Sequence, residues 1–466
     1  MLCCLSGMAQ SEQKMFWALN GAASAFTWDL TAGNNRIDNG SGTWNTTAGN
    51  KTWTFNKGIT NQSWKPVASA IFGGSPGTGA AGTVTVSGTQ TTQSLTFNPA
   101  ASGTFTLTGG TITNTTGNIT ANANATIAST LAGSSGLTLG GTSTITLTGP
   151  ATYTGTTTLN SGTLVLSNGI ANTTAPTLST PVVIASGATL ASDILTVNVN
   201  LSGNISGAGT LSIANTGAQA QTLRLYGNNS GFTGNFSEPS TTRGMMWSDN
   251  GGTGNAANTG SAAAVWNLSG SFGFIETAGA ATPTVQLGSL SGSNSATSLG
   301  GFGGSGIKTF QVGALNTSTT FAGAIQDNPQ GSGTPVIALT KLGTGTLTMS
   351  GTNTYSGATT VNAGTLAFTT AIPSSATWNI AVNATSTPTS ASSGLMTTPS
   401  TFSLAGTTVN IVLTGTSTGF TWTAVSFSGT VSNGPALQVN GTNVTSGVAS
   451  GGTTVTFTGT SITVHR

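Results

Sequence analysis

Charge is the scarcest property of this chain. Only 4% of its 466 residues are charged, whereas an ordinary globular domain carries about a quarter. The 10 basic and 8 acidic residues are scattered, with no run of one sign. Binding of nucleic acid needs a basic stripe that neutralises phosphates, so the sequence predicts no nucleic acid partner. No apolar run approaches the roughly 18 residues of a membrane-spanning helix, so no transmembrane segment is expected either.

Cysteine and histidine are almost missing. Cys3 and Cys4 are the only cysteines, and neighbours in sequence seldom form a disulfide. The single histidine, His465, lies one residue from the end of the chain, which leaves a serine triad or a zinc site without its histidines. Too few carboxylates are present for calcium cages, and no glycine pair precedes a helix pattern that would cradle phosphate. We therefore expect no catalytic residues, no metal and no cofactor.

Carboxylates beyond the first 25 residues are also sparse. Enzymes that cleave polysaccharides need paired carboxylates, or acidic and basic groups, beside a groove. Glu238 and Asp249 are the one pair that shares a segment, and they define the remaining enzyme hypothesis, a polysaccharide lyase or hydrolase. The seven carboxylates are Asp29, Asp38, Asp193, Glu238, Asp249, Glu276 and Asp327.

Short stretches in which aliphatic and hydroxyl residues alternate fill most of the chain. Side chains of a strand alternate between its two faces, so TVTVS at Thr83, SLTFN at Ser94 and TFTLT at Thr104 predict half-buried strands. Strand centres lie about ten residues apart, which is too short for a helical crossover. The chain is therefore expected to coil upon itself every twenty residues or so. Disorder is the alternative for a Gly- and Ser-rich sequence, but the regular period of two argues against it.

One stretch of the sequence occurs twice. GTGTLTMSGTNTYSGATTVNAGTLAF, from Gly343 to Phe368, is matched by STITLTGPATYTGTTTLNSGTLVL, from Ser143 to Leu166. Tyrosine is the informative residue, because the chain has only 3 and two of them fall on equivalent positions. A looser third copy begins at Thr222, and self-similarity of this length is typical of a solenoid. The positions that define the repeat are Lys341, Gly343, Gly345, Tyr355, Gly357, Asn362, Gly364 and Leu366 in one copy, and Tyr153, Gly155, Asn160, Gly162 and Leu164 in the other.

The segment from Ala338 to Phe368 resembles the autotransporter-associated β-strand repeat, also called the passenger-associated transport repeat, of secreted bacterial proteins. Its KLG opening, TYSG turn and NAGTL ending carry the resemblance. The resemblance implies an all-β fold, a right-handed parallel β-helix, and a secreted or cell-surface location associated with the outer membrane. It brings no catalytic residues. Many autotransporters end in a membrane barrel of a dozen strands, and we expect this chain to lack that translocator because too few residues follow the repeats.

Four regions are predicted along the chain. Residues 1–25 resemble a signal peptide with an incomplete start, or alternatively a disordered leader. Residues 26–67 form a Trp-rich N-terminal β cap over the first coil, although tryptophan rings would also make a platform for sugars. Residues 68–375 form the solenoid. Residues 376–466 form an antiparallel, β-sandwich-like C-terminal domain. The tryptophans of the predicted cap are Trp28, Trp44, Trp53 and Trp64.

Residues 237–330 interrupt the regular pattern and are rich in charged and aromatic side chains. Loops that leave a solenoid are where such proteins carry recognition, and EPSTTRGMMWSDN, from Glu238 to Asn250, is the best candidate. In this interpretation Trp247 and Trp266, with Glu238 and Asp249, bind glycans. The alternative is an insertion whose Trp and Met side chains pack on the flank of the solenoid.

Three functional hypotheses follow. The first is a non-enzymatic structural passenger displayed on the cell surface. The second is an adhesin that binds glycans or other cell-surface components through its loops or through the Trp-rich cap. The third is the β-helix enzyme that uses Glu238 and Asp249.

Overall fold

The computed structural model consists of strands and their connections. It describes residues 25–66, 68–74, 77–167, 177–193, 198–214, 222–238, 244–248, 260–277, 281–370, 377–383, 388, 393–398, 407–427, 435–447, 449–450 and 452–466. These residues contain no helix, and so none that is long and apolar enough to cross a membrane. The chain divides into two compact units, residues 1–158 and 159–466.

The first unit contains short strands, the last of which extends one residue into the second unit. They are β1 (Ala25–Trp28), β2 (Ile37–Asp38), β3 (Gly42–Trp44), β4 (Trp53–Thr54), β5 (Asn61–Gln62), β6 (Ser69–Phe72), β7 (Gly77–Thr78), β8 (Thr83–Val86), β9 (Thr89–Phe97), β10 (Phe105–Thr108), β11 (Thr111–Ala121), β12 (Ala125–Ile127), β13 (Thr130–Ala132), β14 (Leu137–Gly141), β15 (Thr144–Leu147) and β16 (Thr157–Leu159).

Two parallel ladders organise the first unit. Strands β3, β8, β10, β12 and β15 form one, and strands β6, β9, β11 and β14 form the other. In the first ladder Leu107 pairs with Ile127, and Ile127 with Leu147, at steps of 20 residues. All three side chains are buried, which is the inward column that alternation predicts. The step agrees with the predicted coil of about twenty residues.

The predicted Trp-rich segment folds as small antiparallel pairs beside these ladders. Strand β4 pairs antiparallel with β1 and with β5, and β1 pairs parallel with β6. The four tryptophans are buried and form one cluster with Phe72, in which the rings of Trp53 and Trp64 are 4.5 Å apart. Because these rings are buried in a core, they offer no platform on which a sugar could stack.

The second unit is also built from strands. They are β17 (Thr163–Ser167), β18 (Thr177–Leu178), β19 (Val182–Ile184), β20 (Thr189–Asp193), β21 (Val199–Leu201), β22 (Ile205–Ser206), β23 (Thr210–Ala214), β24 (Thr222–Leu225), β25 (Asn235–Glu238), β26 (Gly244–Ser248), β27 (Ser261–Leu268), β28 (Phe272–Glu276), β29 (Thr284–Ser291), β30 (Ser298–Phe302), β31 (Ser305–Val312), β32 (Thr319–Phe321), β33 (Ala324–Ile325), β34 (Thr334–Lys341), β35 (Thr346–Met349), β36 (Thr359–Val361), β37 (Gly364–Phe368), β38 (Thr377–Asn383), β39 (Gly394–Thr398), β40 (Thr408–Thr414), β41 (Thr421–Phe427), β42 (Ala436–Val439), β43 (Thr442–Val444), β44 (Ala449–Ser450), β45 (Thr453–Phe457) and β46 (Ser461–His465).

One long parallel ladder runs through the second unit. Its strands are β17, β20, β23, β25, β27, β29, β31, β34, β36, β38, β40 and β42, each paired with the next. A second parallel ladder joins β18, β21, β24, β26, β28, β30 and β33. A third joins β32, β35, β37, β39 and β41. Stacked parallel strands of this kind make a β-helix-like solenoid, as the repeats predict.

The structure corrects the prediction of an antiparallel domain from residue 376 onward. Strands β38, β39, β40 and β42 continue the parallel ladders. From residue 376 onward, the described antiparallel pairs are those between β42 and β43, between β41 and β46, and within β44–β46. Alternation specifies which side chains face inward, but it does not specify strand direction, and this is why the prediction was wrong for residues 377–439.

The predicted irregular stretch, residues 237–330, is also more regular than expected. Strands β26–β33 in this stretch all pair in parallel with their neighbours. The rest of the predicted recognition loop, at 239–243 and 249–250, lies outside the described residues. The described residues therefore belong to the coils of the solenoid and do not form a loop that leaves it.

Candidate functional site

The two tryptophans predicted to bind glycans lie in the core. Trp247 in β26 is aligned with Leu225 and Ile275 of the neighbouring strands, and Trp266 in β27 is aligned with Phe236. Neither ring has exposed surface, and their centroids are 5.6 Å apart. A ring without exposed surface cannot stack on a sugar, so the prediction was wrong for both. Each is an unusually large member of an inward-facing apolar column.

Glu238 is also buried. It is the last residue of β25, on the same inward face as Phe236, and only 1% of its surface is exposed. Its Oε2 accepts a hydrogen bond from the backbone N–H of Gly270 at 3.0 Å, whereas Oε1 has no partner among the described atoms. Burial raises the pKa of this carboxyl well above its ordinary value. Asp249, its predicted partner, lies outside the described residues.

The repeat tyrosines make the same contact in both copies. Tyr153 and Thr157 share a hydrogen bond of 2.8 Å between their hydroxyls, and so do Tyr355 and Thr359. All four side chains are buried. Burial raises the pKa of Tyr153 to about 12 and raises that of Tyr355 as well. Because Thr follows Tyr by four residues in each copy, the repeat specifies a closed polar pair inside its turn, and neither hydroxyl of that pair reaches the surface.

Lys341, which opens the repeat, closes the turn that follows it. The side chain is buried, and its Nζ donates to the carbonyl oxygens of Leu342, Gly343 and Ala363 at 2.5, 2.8 and 3.3 Å. An ammonium group has three donors, and all are used here. Burial lowers the pKa of this amine to about 8.

A second buried lysine with a similar arrangement was missed by sequence reasoning. Lys308 in β31 donates to the carbonyl oxygens of Ile275, Phe302 and Gly303 at 3.1, 2.9 and 2.8 Å. The sequence did hold a signal, because SGIKTFQV places Lys308 in phase with two inward apolar residues of the same strand. A lysine in that phase has to find backbone acceptors within the core.

Asp327 connects the strand that leads into the repeat with the turn that carries Tyr355. Its Oδ1 accepts the backbone N–H of Ile337 at 2.7 Å, and its carboxylate also accepts the N–H of Ser356 at 3.1 and 3.2 Å. These bonds occupy the carboxylate with backbone donors, which is a structural task.

The remaining signature positions set the backbone of the turns. Gly343 has a φ of +66°, and a Cβ there would lie 2.1 Å from the carbonyl oxygen of Gly313. Only glycine combines that dihedral with so close a neighbour. Leu164 and Leu366 are fully buried, and the N–H of Asn362 donates to the carbonyl of Lys341 at 2.9 Å. The other signature residues, Gly155, Asn160, Gly162, Gly345, Gly357 and Gly364, lie in turns or at the start of a strand.

One charged pair lies on the outer side of the second unit. Nη1 of Arg224 is 3.4 Å from Oε2 of Glu276, and the two side chains are 26% and 19% exposed. The guanidinium also lies 3.5 Å from the hydroxyl of Tyr226. Among the described residues, no three His, Cys, Asp or Glu side chains are grouped as metal ligands would be.

Stacked parallel ladders with internal repeats define a class, the repeat-built solenoid of β strands. The family whose sequence model matches is the passenger-associated transport repeat, over residues 132–166 and 339–368. The chain thus carries two passenger-associated transport repeats, as the resemblance indicates. Such repeats are those of autotransporter passenger domains, and they imply a secreted or surface location. No curated protein and no solved structure matches the chain.

Proposed function

We propose that this chain is a non-enzymatic surface passenger, an exported scaffold built on its parallel ladders. One observation carries the proposal. Both matched repeats use their signature side chains internally, in the Tyr–Thr pairs and in the carbonyl contacts of Lys341. Because the polar signature side chains form hydrogen bonds within the solenoid, they support a scaffold role. The matched family supports export.

The outward rows of the first unit support the same function. Thr83, Thr106, Thr126 and Thr146 align on successive strands of one ladder, and all retain some exposure. These rows of uncharged hydroxyl groups hydrate the surface and limit its exposed apolar area. Ladder strands have their backbone groups paired on both sides, which leaves a protease few extended segments to bind.

The positions of the carboxylates support a non-enzymatic role. Glu238 is buried, Asp327 is occupied by backbone N–H groups, and Glu276 is paired with Arg224. Glycoside cleavage needs an acid and a base that reach the substrate from opposite sides. The carboxylates of this chain that are described do not present such a pair at the surface.

Cell fractionation combined with surface proteolysis tests this function. The full chain, expressed in its native host, should be found outside the cytoplasm and should bind an antibody on intact cells. Proteinase K added to intact cells should remove the antibody signal while a cytoplasmic marker protein survives. Recovery of the chain with that marker, protected from the protease, would contradict the proposal.

Glycan binding is a second candidate, and one specific observation favours it. The side chains of Arg224, Glu276 and Tyr226 lie together and are each partly exposed, so a sugar hydroxyl could bond to their accessible polar atoms. A glycan array with the purified chain would detect binding, and Arg224→Gln combined with Tyr226→Phe should remove it. Gln286→Ala, at an exposed polar position on a different ladder, is the matched control. An array without any signal above that of the double variant would rule out this candidate.

A further inference from the structure

The turn between β4 and β5, residues 55–60, exposes more apolar surface than its surroundings. Phe55 is 52% exposed and Ile59 is 54% exposed. Single exposed apolar side chains are ordinary on protein surfaces. Two half-exposed apolar side chains within one six-residue turn are unusual, especially in a segment whose tryptophans are all buried.

The turn is held in place by hydrogen bonds, so the exposure is part of the folded structure. Oγ1 of Thr54 accepts the N–H of Gly58 at 3.0 Å. Oδ1 of Asn56 accepts the N–H of Thr60 at 2.9 Å. The ring of Phe55 meets Phe26 edge to face at 6.3 Å. The turn therefore presents Phe55 and Ile59 outward on a fixed support.

Two cations flank these apolar side chains. Lys57, at the tip of the turn, and Arg36, in the adjoining loop, are both exposed. The loop lies directly against the turn, because a Cβ on Gly58 would be 1.8 Å from the carbonyl oxygen of Arg36. Of the nearby carboxylates, Asp29 is fully buried, whereas Asp38 accepts a hydrogen bond from Asn34 at 2.5 Å and offsets one cation. Exposed Lys51 and Lys65 add positive charge to the same segment.

We propose that this basic apolar turn, defined as residues 55–60 with Arg36, binds an anionic lipid surface. The cations contact lipid phosphates, and Phe55 and Ile59 enter the headgroup region, as in other interfacial anchors. A stable protein partner needs about 800 Å² on each side, which is several times the area that two half-exposed side chains provide. A soluble acidic polysaccharide would use the cations but would gain nothing from Ile59. The mixture of charge and apolar surface therefore favours a lipid interface.

Vesicle co-sedimentation with the full chain tests the proposal. The chain should sediment with phosphatidylcholine vesicles that contain phosphatidylglycerol and stay in solution with phosphatidylcholine alone. Added salt should weaken the binding, because the surface potential is screened. Arg36→Gln combined with Lys57→Asn should lower the partition coefficient roughly 25-fold, since each cation near an anionic membrane contributes about fivefold. Asparagine tolerates the left-handed backbone of Lys57, whose φ is +56°.

The apolar half of the surface has its own variants. Phe55→Ser combined with Ile59→Ser should also reduce sedimentation with anionic vesicles, at unchanged secondary structure by circular dichroism. Ile307→Thr is the matched control, because Ile307 is 50% exposed on a different element, and it should bind as the parent chain does. If the serine variant proves unfolded, Ile59→Ser alone replaces it.

Three results would overturn the proposal. They are equal binding to neutral and anionic vesicles, binding that survives both double variants, and retention on heparin without vesicle binding. The last would instead assign the turn to soluble acidic glycans. Failure here leaves the surface-passenger function standing, because that function is tested by location in the cell and not by lipid binding.

Discussion

Tyr355 and Thr359 form a polar pair that is sealed inside the repeat. Tyr355→Phe removes the only hydroxyl that bonds Thr359 among the described contacts, and leaves a buried Oγ1 unpaired. We expect a loss of about 1–3 kcal/mol in the free energy of unfolding, measured by urea denaturation.

The double variant Tyr355→Phe with Thr359→Val provides the control. Replacing both partners removes the unpaired hydroxyl, so most of the lost stability should return. If the two single changes simply add, the pair does not act as a unit and the role assigned to it is wrong.

Glu238 predicts a pH dependence of stability. Its folded pKa is raised above the unfolded value of 4.5, so the folded state holds its proton more tightly. The associated stability is present below pH 4.5 and is lost as the pH rises through the folded pKa. Glu238→Gln mimics the protonated acid, so it should melt higher than the parent chain at neutral pH and similarly at pH 4. Glu276→Gln, at a partly exposed position, should not reproduce this difference.

Buried Lys341 should make the free energy of unfolding rise with pH in the alkaline range, which is opposite to the effect of Glu238. Burial lowers its folded pKa to about 8, from 10.5 in the unfolded chain. As the pH rises, the folded state therefore releases its proton before the unfolded chain does. The resulting stabilisation is fully present above pH 10.5, and it is lost as the pH falls through about 8. Lys341→Met should flatten the rise in the unfolding midpoint between pH 8 and 10.5. An unchanged slope in the variant would assign the rise to other groups.

At the scale of elements, the turn between β34 and β35 depends on one glycine. Gly343→Ala would place a side chain on a residue with a left-handed φ, and its Cβ would lie 2.1 Å from the carbonyl oxygen of Gly313. Gly331→Ala meets the same kind of φ, +72°, but has open space around it. The second change should cost about 1 kcal/mol, and the first at least twice that, measured by thermal unfolding. Equal costs would mean that the approach of Gly313 is relieved without strain.

The strands themselves could be predicted from the sequence, but their partners could not. In Phe105–Thr108 and Thr346–Met349 alternation assigns each side chain correctly to the inner or outer face. The same alternation in Thr408–Thr414 suggested an antiparallel sheet, yet this strand pairs in parallel with β38. Direction is set by the connection that returns the chain, and Gly- and Thr-rich connections do not distinguish a coil from a hairpin.

The candidate site was harder to predict than the fold, for a related reason. Trp247 and Glu238 lie in a stretch that is rich in charged and aromatic side chains, and this concentration suggested a loop that carries recognition. Both occupy inward positions of strands. Their phase within β26 and β25 could have shown this, but GMMWS contains no polar residue before Ser248, so the sequence leaves its phase ambiguous.

At the scale of the whole molecule, the scarcity of charge predicts stability that is nearly independent of salt. The pair between Arg224 and Glu276 is partly exposed, and such pairs contribute about 1 kcal/mol or less. The free energy of unfolding from urea denaturation should therefore differ by less than about 0.5 kcal/mol between low ionic strength and moderate sodium chloride. A larger shift that persists in Glu276→Gln would reveal electrostatic contributions beyond this pair.

Among the described residues, each inner strand of the long parallel ladder in the second unit pairs with the ladder strand before it and the ladder strand after it. Unequal recombination between the DNA segments that encode two such coils would add or remove one complete coil. The coils on either side could then pair with each other in parallel as before. Alleles of this gene should accordingly differ in length by steps near one turn of the ladder, with insertions of other sizes confined to the connections.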